Sequence, residues 1–427
     1  MLSIQFIRES TDLVRRAIAR RHESPPLEEV LALDERRRLL LAEVEALRAR
    51  RNDVSRQIGR QGGDRAAIDR VREEMRAVGA RIEAHEVELT ALEASLRARL
   101  LEIPNIPHDT TPDGASEDEN VVIRTVGVPR DLGFPPRPHW ELGDALDLLD
   151  FERGVKLAGT RFYVMRGSLA RLQRALISWL LDLHTIEHGY TEMNVPYLLK
   201  PSALVGAAQL PRFSSNLYHD SESDLWLIPT AEAALANIYA DEIIEPGRLP
   251  IKMVAYTACF RREQFASGRD TRGIKRGHQF DKVEMFRIVE PETGLEALEE
   301  MVDEAANCLR RLGLVYRVKD LCTADIAFQS AKTYDLEVWA PGVGEWLEVS
   351  SCSTVTDFQS RRANLRYRRA GGARPEFPHE LNGSGLGIPR TMIAILENYQ
   401  RADGSIEVPE VLRPYMGGLA RVEAAPA

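Results

Sequence analysis

Two long runs of apolar residues at helical spacing occupy most of the first hundred positions. From Leu27 to about Ile58 the apolar residues fall at 30, 33, 40, 44, 47, 54 and 58, a seam interrupted by Arg37 and Arg51. A second seam runs through Ile68, Val71, Met75, Val78, Ile82, His85, Leu89, Leu92 and Leu96, with spacings alternating three and four. Such spacing keeps one narrow apolar stripe on one side of a helix, and the stripe needs a partner helix to cover it. Gly59, Gly62 and Gly63 mark a turn between the runs. The pattern predicts an antiparallel coiled-coil hairpin over 27–101, each helix about 50 Å long at 1.5 Å per residue.

The hairpin carries 15 arginines, no lysine and 15 acids, but from Arg48 to Arg81 there are 10 arginines against 5 acids. Its tip is positive on a chain of net charge -9. That net charge argues against nucleic acid bound over the whole surface and leaves room for a local basic patch. Two readings of the tip stand: a solvated coiled coil laced with ion pairs, or a projecting arm that grips a phosphate backbone through Arg48, Arg51, Arg56 and Arg60.

At 427 residues the chain calls for two or three domains. We place an N-terminal domain at 1–105, a polar and Pro-rich linker at 106–138, and a second domain at 139–427. Ile4 and Phe6 suggest a short opening strand, followed by a helix from near Ser10. In the second domain helices are expected over 145–151 and 171–189, among strands that alternate in the antiparallel manner. The strands 334–339 and 345–349 flank a Pro341–Gly344 turn. Four cysteines without a Cys-x-x-Cys spacing fit a reducing, cytoplasmic setting. The start has no signal-peptide pattern, and no apolar run approaches the roughly 20 residues of a membrane span.

Four stretches carry chemistry. In Phe260-Arg261-Arg262-Glu263, read as a strand, Arg261 and Glu263 share a face and Arg262 takes the other; on the returning strand His278–Glu284, Phe280 and Glu284 share a face. Such a pair can set a guanidinium, two carboxylates and an aromatic ring on one wall, as a nucleotide requires. Thr230-Ala231-Glu232 offers a hydroxyl and a carboxylate for a small ammonium ligand, or else a strand-to-helix boundary capped by Thr230. Glu348 and Ser351 suit a hard cation held jointly with phosphate oxygens. By plain alternation they face opposite ways, so joint use requires a bulge between them. Finally, Leu381–Arg390 reads as a Gly-rich loop running into a helix, with Pro389 at its start and Arg390 at its positive end.

In this order, Thr-Ala-Glu, Phe-Arg-x-Glu with His-Gln-Phe-Asp-Lys-Val-Glu, Glu-Val-Ser-Ser-Cys-Ser and Leu-Asn-Gly-Ser-Gly…Arg resemble the bacterial seryl-tRNA synthetases, a class II family. The resemblance covers almost the whole chain, including the hairpin and the closing Ile406–Leu412. It implies an α+β protein: the helical hairpin plus an antiparallel-sheet catalytic domain flanked by helices. Helix 171–189 and the strand reaching Pro196 would be motif 1, at a homodimer interface. Arg261–Glu284 would be motif 2, and 381–390 with its helix motif 3. It further implies that ATP meets Arg261, Arg262, Glu263, Gly277, Phe280, Glu348, Val349, Ser350, Ser351 and Arg390. Of these, Arg261 and Arg390 would be catalytic, and Glu348 and Ser351 would hold Mg²⁺. Serine would meet Thr230, Ala231, Glu232, Arg261, Glu284, Asn382 and Ser384. The implied partners are L-serine, ATP, tRNA(Ser) and tRNA(Sec), with no membrane. Two departures stand out: Arg262-Glu263-Gln264-Phe265-Ala266 where motif 2 commonly reads Ser-Glu-Ala-Gly-Ser, and Pro389 where many members have Gly. Two competing readings are an amino-acid ligase that loads a carrier protein, whose relatives lack the arm and bind zinc, and an inactive paralogue whose arm only binds RNA.

Overall fold

The computed structural model describes residues 1–60, 65–264 and 272–424, with backbone alone at 57–60 and 65–68. Two compact units are formed, one by residues 1–19 and 23–104, the other by 20–22 and 105–427.

The regular structure among the described residues of the first unit is all helical: α1 (Ile4–Glu9), α2 (Thr11–Arg20), α3 (Leu27–Arg60) and α4 (Arg65–Leu100). The opening strand expected at Ile4 and Phe6 is therefore a helix. Ser3 starts it by accepting the Phe6 N–H at 3.0 Å, and Ile7 is fully buried. In the hairpin, Leu40 and Val44 of α3 pack on Val78, Ile82 and Leu89 of α4, with Leu47 and Met75 at the margin. Arg37, which breaks the seam, is accommodated by Glu93 at 2.9 Å. Further cross-hairpin pairs join Arg36 to Glu88 (2.6 Å), Arg48 to Glu86 (2.6 Å) and Arg50 to Glu74. Exposed pairs of this kind are screened by solvent and contribute little, so the apolar seam holds the helices and the charges tune their register. The turn glycines Gly62 and Gly63 and the side chain of Arg60 lie outside the described residues.

The second unit is built on an eight-stranded sheet: β1 (Val121–Val126), β2 (Thr191–Glu192), β3 (Ile251–Phe260), β4 (Gln279–Val289), β5 (Tyr316–Asp320), β6 (Lys332–Ala340), β7 (Glu345–Thr356) and β8 (His379–Gly387). The strand order is β1-β5-β6-β7-β8-β4-β3-β2, antiparallel except for the β2–β3 edge. Alternation gives it two faces. On one, Val254, Val283, Met285, Leu336, Val338, Leu347 and Leu381 pack beneath three helices, α5 (Gly167–Asp182), α6 (Gly294–Arg311) and α7 (Ile388–Asn398). On the other, Met253, Ala255, Phe286 and Ile288 belong to a second apolar cluster.

Several boundaries differ from expectation. Residues 121–126, placed in the linker, form β1, because the edge of β5 offers unpaired backbone groups and Val121-Val122-Ile123 is a β-branched run able to take them. The helix expected at 145–151 is instead His139–Ala145 and Phe151–Ala158, the latter capped by Asp150, which accepts the Arg153 N–H at 2.8 Å. Helix α5 ends at Asp182 and runs on as a π-helical turn, Leu183–Glu187. The Gly-rich stretch from Leu381 is strand rather than loop. Its glycines are there because the helix layer lies close: a Cβ on Gly383 would sit 2.7 Å from Met301 Sδ, and one on Gly385 2.6 Å from His184 Nε2. All four cysteines, at 259, 308, 322 and 352, are buried and free.

Arg287 ties β4 to α6. Only 1% exposed, it donates to Tyr190 Oη (2.8 Å), Glu300 (2.7 Å) and Glu304 (2.6 Å). Replacing Arg287 with Leu deprives Glu304 of its shortest ion pair and leaves it Lys252 at 3.2 Å as its cationic partner among the described residues. The expected cost is about 3 kcal/mol, seen as a lower melting temperature. Adding Glu304→Leu should recover much of it, since removing both charges removes the stranded one.

Candidate active site

On the face of the sheet away from α5–α7 lies a cleft of about 450 Å³. One wall comes from the β3–β4 pair, whose last rung is Phe260 opposite Gln279. The strand stops there, so Arg261–Glu263 are not in strand as expected. Arg261 and Glu263 still both line the cleft, and Glu263 has a left-handed φ of 47°. Arg261 Nε donates to the Pro229 carbonyl at 3.1 Å, and its guanidinium lies 5.1 Å from the Phe280 ring centroid. Glu263 pairs with Arg276 at 3.5 Å. Arg262, expected to meet the nucleotide, does not line the cleft: its Nε donates to the Leu217 carbonyl (2.8 Å) and its guanidinium stacks on Tyr218 (4.9 Å). The residues 265–271, with the Phe265 and Ala266 departures and Gly268, Arg269 and Asp270, lie outside the described residues.

The second wall is β7, and the required bulge is present. Ser350 pairs with Leu336 and Glu348 with Glu337, which leaves Val349 unopposed. Past this extra residue the alternation reverses, so Glu348, Ser351 and Ser353 all reach the cleft. Ser350 falls outside the lining and donates its hydroxyl to the Ser384 carbonyl at 2.6 Å. Arg390, at the start of α7, holds Glu348 twice, through its carbonyl (2.9 Å) and its carboxylate (3.2 Å). Behind them Ser351 hydrogen-bonds Asp335, whose carboxyl burial and the nearby Glu348 push well above the usual carboxylate range.

The floor is acidic. Glu232, 4% exposed, accepts from Gln359 Nε2 (2.6 Å), Gln329 Nε2 (3.4 Å) and Asn382 Nδ2 (3.4 Å). Burial, then the charge of Glu284, pushes its carboxyl up to about 7. Glu284 is fully buried and ion-paired with Lys282 two residues away on β4. Thr230 and Ser384 line the same cleft, and Thr230 Oγ1 accepts the Glu232 N–H (3.3 Å) at the start of a short helix, Glu232–Leu235. Hydroxyl, carboxylate and boundary thus coexist in one segment. Ala231 is buried behind them and does not line the cleft. Sequence reasoning missed Lys282, which its position between Phe280 and Glu284 on one strand face could have disclosed. It also missed Gln329 and Gln359, which reach Glu232 from distant elements and carry no local signal.

A cleft lined by paired cations, an aromatic ring and buried acids, on an antiparallel sheet entered by a strand-to-helix arginine, is the arrangement of a class II aminoacyl-tRNA synthetase. Residues 213–399 match the family described as tRNA synthetase class II core domain (G, H, P, S and T), and residues 1–107 the seryl-tRNA synthetase N-terminal domain. A serine–tRNA ligase of Thermomicrobium roseum is 57% identical over 100% of this chain and 96% of its own, and one of Chloroflexus aurantiacus 58% identical over 99% and 100%. The crystal structure of seryl-tRNA synthetase from Pyrococcus horikoshii complexed with ATP superimposes with a TM-score of 0.94 over 100% of both chains, at 34% identity. The chain belongs to the seryl-tRNA synthetase family.

The raised Glu232 carboxyl has a consequence for stability. Its folded pKa of about 7 lies above the ordinary 4.5. The stability from holding that proton is complete below 4.5 and is lost as pH rises through 7. Glu232→Gln has no proton to lose. Relative to the parent, the variant should gain up to about 3 kcal/mol between pH 4.5 and pH 8, read from thermal melts across that range.

Proposed function

We propose that the cleft joins serine to ATP, forming seryl-adenylate and pyrophosphate, and that the seryl group then passes to the terminal ribose of tRNA(Ser) and of tRNA(Sec). The chain is a ligase with the activity its family is named for. The observation that supports the reading is that one continuous cleft is lined both by Arg261, Phe280, Glu348, Ser351 and Arg390 and by Thr230, Glu232, Glu284, Asn382 and Ser384. Phe280 offers a flat face for the base, with Glu263 and Gly277 beside it. Arg261 neutralises the α-phosphate and Arg390 the γ-phosphate. The serine carboxylate attacks the α-phosphorus directly, so no side-chain nucleophile is needed, and catalysis is positioning and charge neutralisation. Glu232 and Glu284 hold the serine ammonium and hydroxyl.

Mg²⁺ fits the second wall. The bulge at Val349 brings the Glu348 carboxylate and Ser351 hydroxyl to one surface, an oxygen donor set of the kind a hard cation takes with phosphate oxygens. The ion would neutralise phosphate charge. Glu348 now neutralises Arg390, so cation and nucleotide together would part this pair and satisfy both members. The assembly is read as a cytoplasmic homodimer. No helix among the described residues is long and apolar enough to cross a membrane.

Serine-dependent ATP–pyrophosphate exchange tests the reading. Serine should support it and alanine should fail by about 10⁴-fold, because buried partners of the hydroxyl would go unpaired. Arg261→Ala and Arg390→Ala should each lose roughly 3 kcal/mol of transition-state stabilisation with native circular dichroism. Exchange within a few-fold of the parent would refute the roles given to them.

The hairpin is read as the tRNA-gripping arm. Arg48 and Arg56 already meet Glu86 (2.6 Å) and Asp53 (3.7 Å). Arg51 is exposed. Replacing Arg48, Arg51, Arg56 and Arg60 with Gln should leave exchange unchanged, weaken tRNA binding and flatten its log–log salt dependence by at most about one unit per lost phosphate contact. Tip arginines already engaged within the hairpin should contribute less than that ceiling. An unchanged salt slope with a lowered melting temperature would assign them to the hairpin's own stability.

A further inference from the structure

We infer that His139 is a positioning residue for the nucleotide end of the cleft, acting through Glu397 and Ile274. His139 is 1% exposed and opens the helix His139–Ala145. Its Nδ1 lies 2.9 Å from Glu397 Oε1, and its Nε2 lies 3.2 Å from the backbone nitrogen of Ile274. A carboxylate only accepts and a backbone N–H only donates. The ring must therefore carry its proton on Nδ1 and present a lone pair at Nε2. Glu397 is fixed in turn by the backbone N–H groups of His139 (3.0 Å), Gly342 (2.8 Å) and Val343 (3.1 Å).

The dyad joins two parts of the cleft that are far apart in sequence. Glu397 lies on α7 seven residues after Arg390, on the same side of the helix. Ile274, fully buried, begins the return to β4. Directly before it Gly273 has a φ of +77°, and a Cβ there would lie 2.1 Å from His139 Nε2. Arg272 stacks on Trp140 at 4.8 Å. Directly after it come the lining residues Lys275, Arg276 and Gly277. The Lys275 carbonyl accepts from Arg390 Nε at 3.5 Å, and Arg276 pairs with Glu263. His139 thus sets the spacing between the Arg276–Glu263 wall and Arg390, although it touches neither the cleft nor any ligand in it. Misplacement of such a wall by about 1 Å can cost up to about 10²-fold in rate.

The inference rests on reading this wall as the nucleotide side, so Phe280→Ala serves as the control for that reading. His139→Asn keeps a donor where Nδ1 stood and loses the acceptor for Ile274. His139→Gln keeps an acceptor near the Nε2 position. In pyrophosphate exchange, His139→Asn should raise KM for ATP about tenfold and leave KM for serine within about twofold, and His139→Gln should recover most of the loss. Equal shifts in both KM values, no shift, no recovery in His139→Gln, or failure of both variants to fold would make His139 a structural residue only and overturn the inference. Should Phe280→Ala also leave KM for ATP unmoved, the nucleotide reading falls with it. A shift in Phe280→Ala beside an unmoved His139→Asn overturns the positioning role alone.

Discussion

Antiparallel pairing in the eight-stranded sheet is the constraint on which everything else rests. In β4, β7 and β8 a period of two separates residues that pack under α5, α6 and α7 from residues that face the cleft. Val283 and Met285 are core, while Lys282 and Glu284 are site. The two sets are interleaved, so the stability of the core and the placement of the chemistry depend on the same register. Slippage of β4 by one residue would bury its charges under the helices and point its apolar residues into the cleft.

Charge within the cleft is organised as pairs waiting to be exchanged. Arg390 holds Glu348, Arg276 holds Glu263, and Lys282 holds Glu284. Opposite charges at these distances limit the repulsion that buried like charges would otherwise impose, and they keep each side chain in one place. A ligand bearing phosphates alone would take Arg390 and leave Glu348 without its partner. One that brings phosphate and cation together compensates both. On the proposed reading of the cleft, selectivity for the magnesium complex of a nucleotide would then reside in the ion pair as well as in the shape of the cleft.

Much of this was legible beforehand, for identifiable reasons. The hairpin declared itself because a coiled-coil seam is a local, periodic signal: Leu40, Val44, Val78, Ile82 and Leu89 all lay on the two stripes and all pack in its core. Phe280 and Glu284 could be put on one face by parity alone. Boundaries fared worse where tertiary partners decide. Strand β1 exists because β5 has an open edge, and β8 is strand despite its glycines because Met301 and His184 leave no room for side chains there. Gln329 and Gln359 were invisible because what matters about them is where distant segments meet. Arg262 shows the converse: parity had placed it on the opposite side from Arg261 and Glu263, and only family likeness put it at the nucleotide.

The bulge at Val349 sets a reading frame for β7. On its N-terminal side Leu347 is core and Glu348 is site; on its C-terminal side Cys352 is core and Ser351 and Ser353 are site. The composition of this strand can drift, since another apolar residue at 349 preserves the offset. Its bend cannot. If the extra residue were drawn into the regular pleat at constant length, simple alternation would place Glu348 and Ser351, three positions apart, on opposite faces with every functional side chain still present. For this segment a change that flattens the backbone, rather than one that alters a functional side chain, is what would most cheaply separate a folded descendant from an active one.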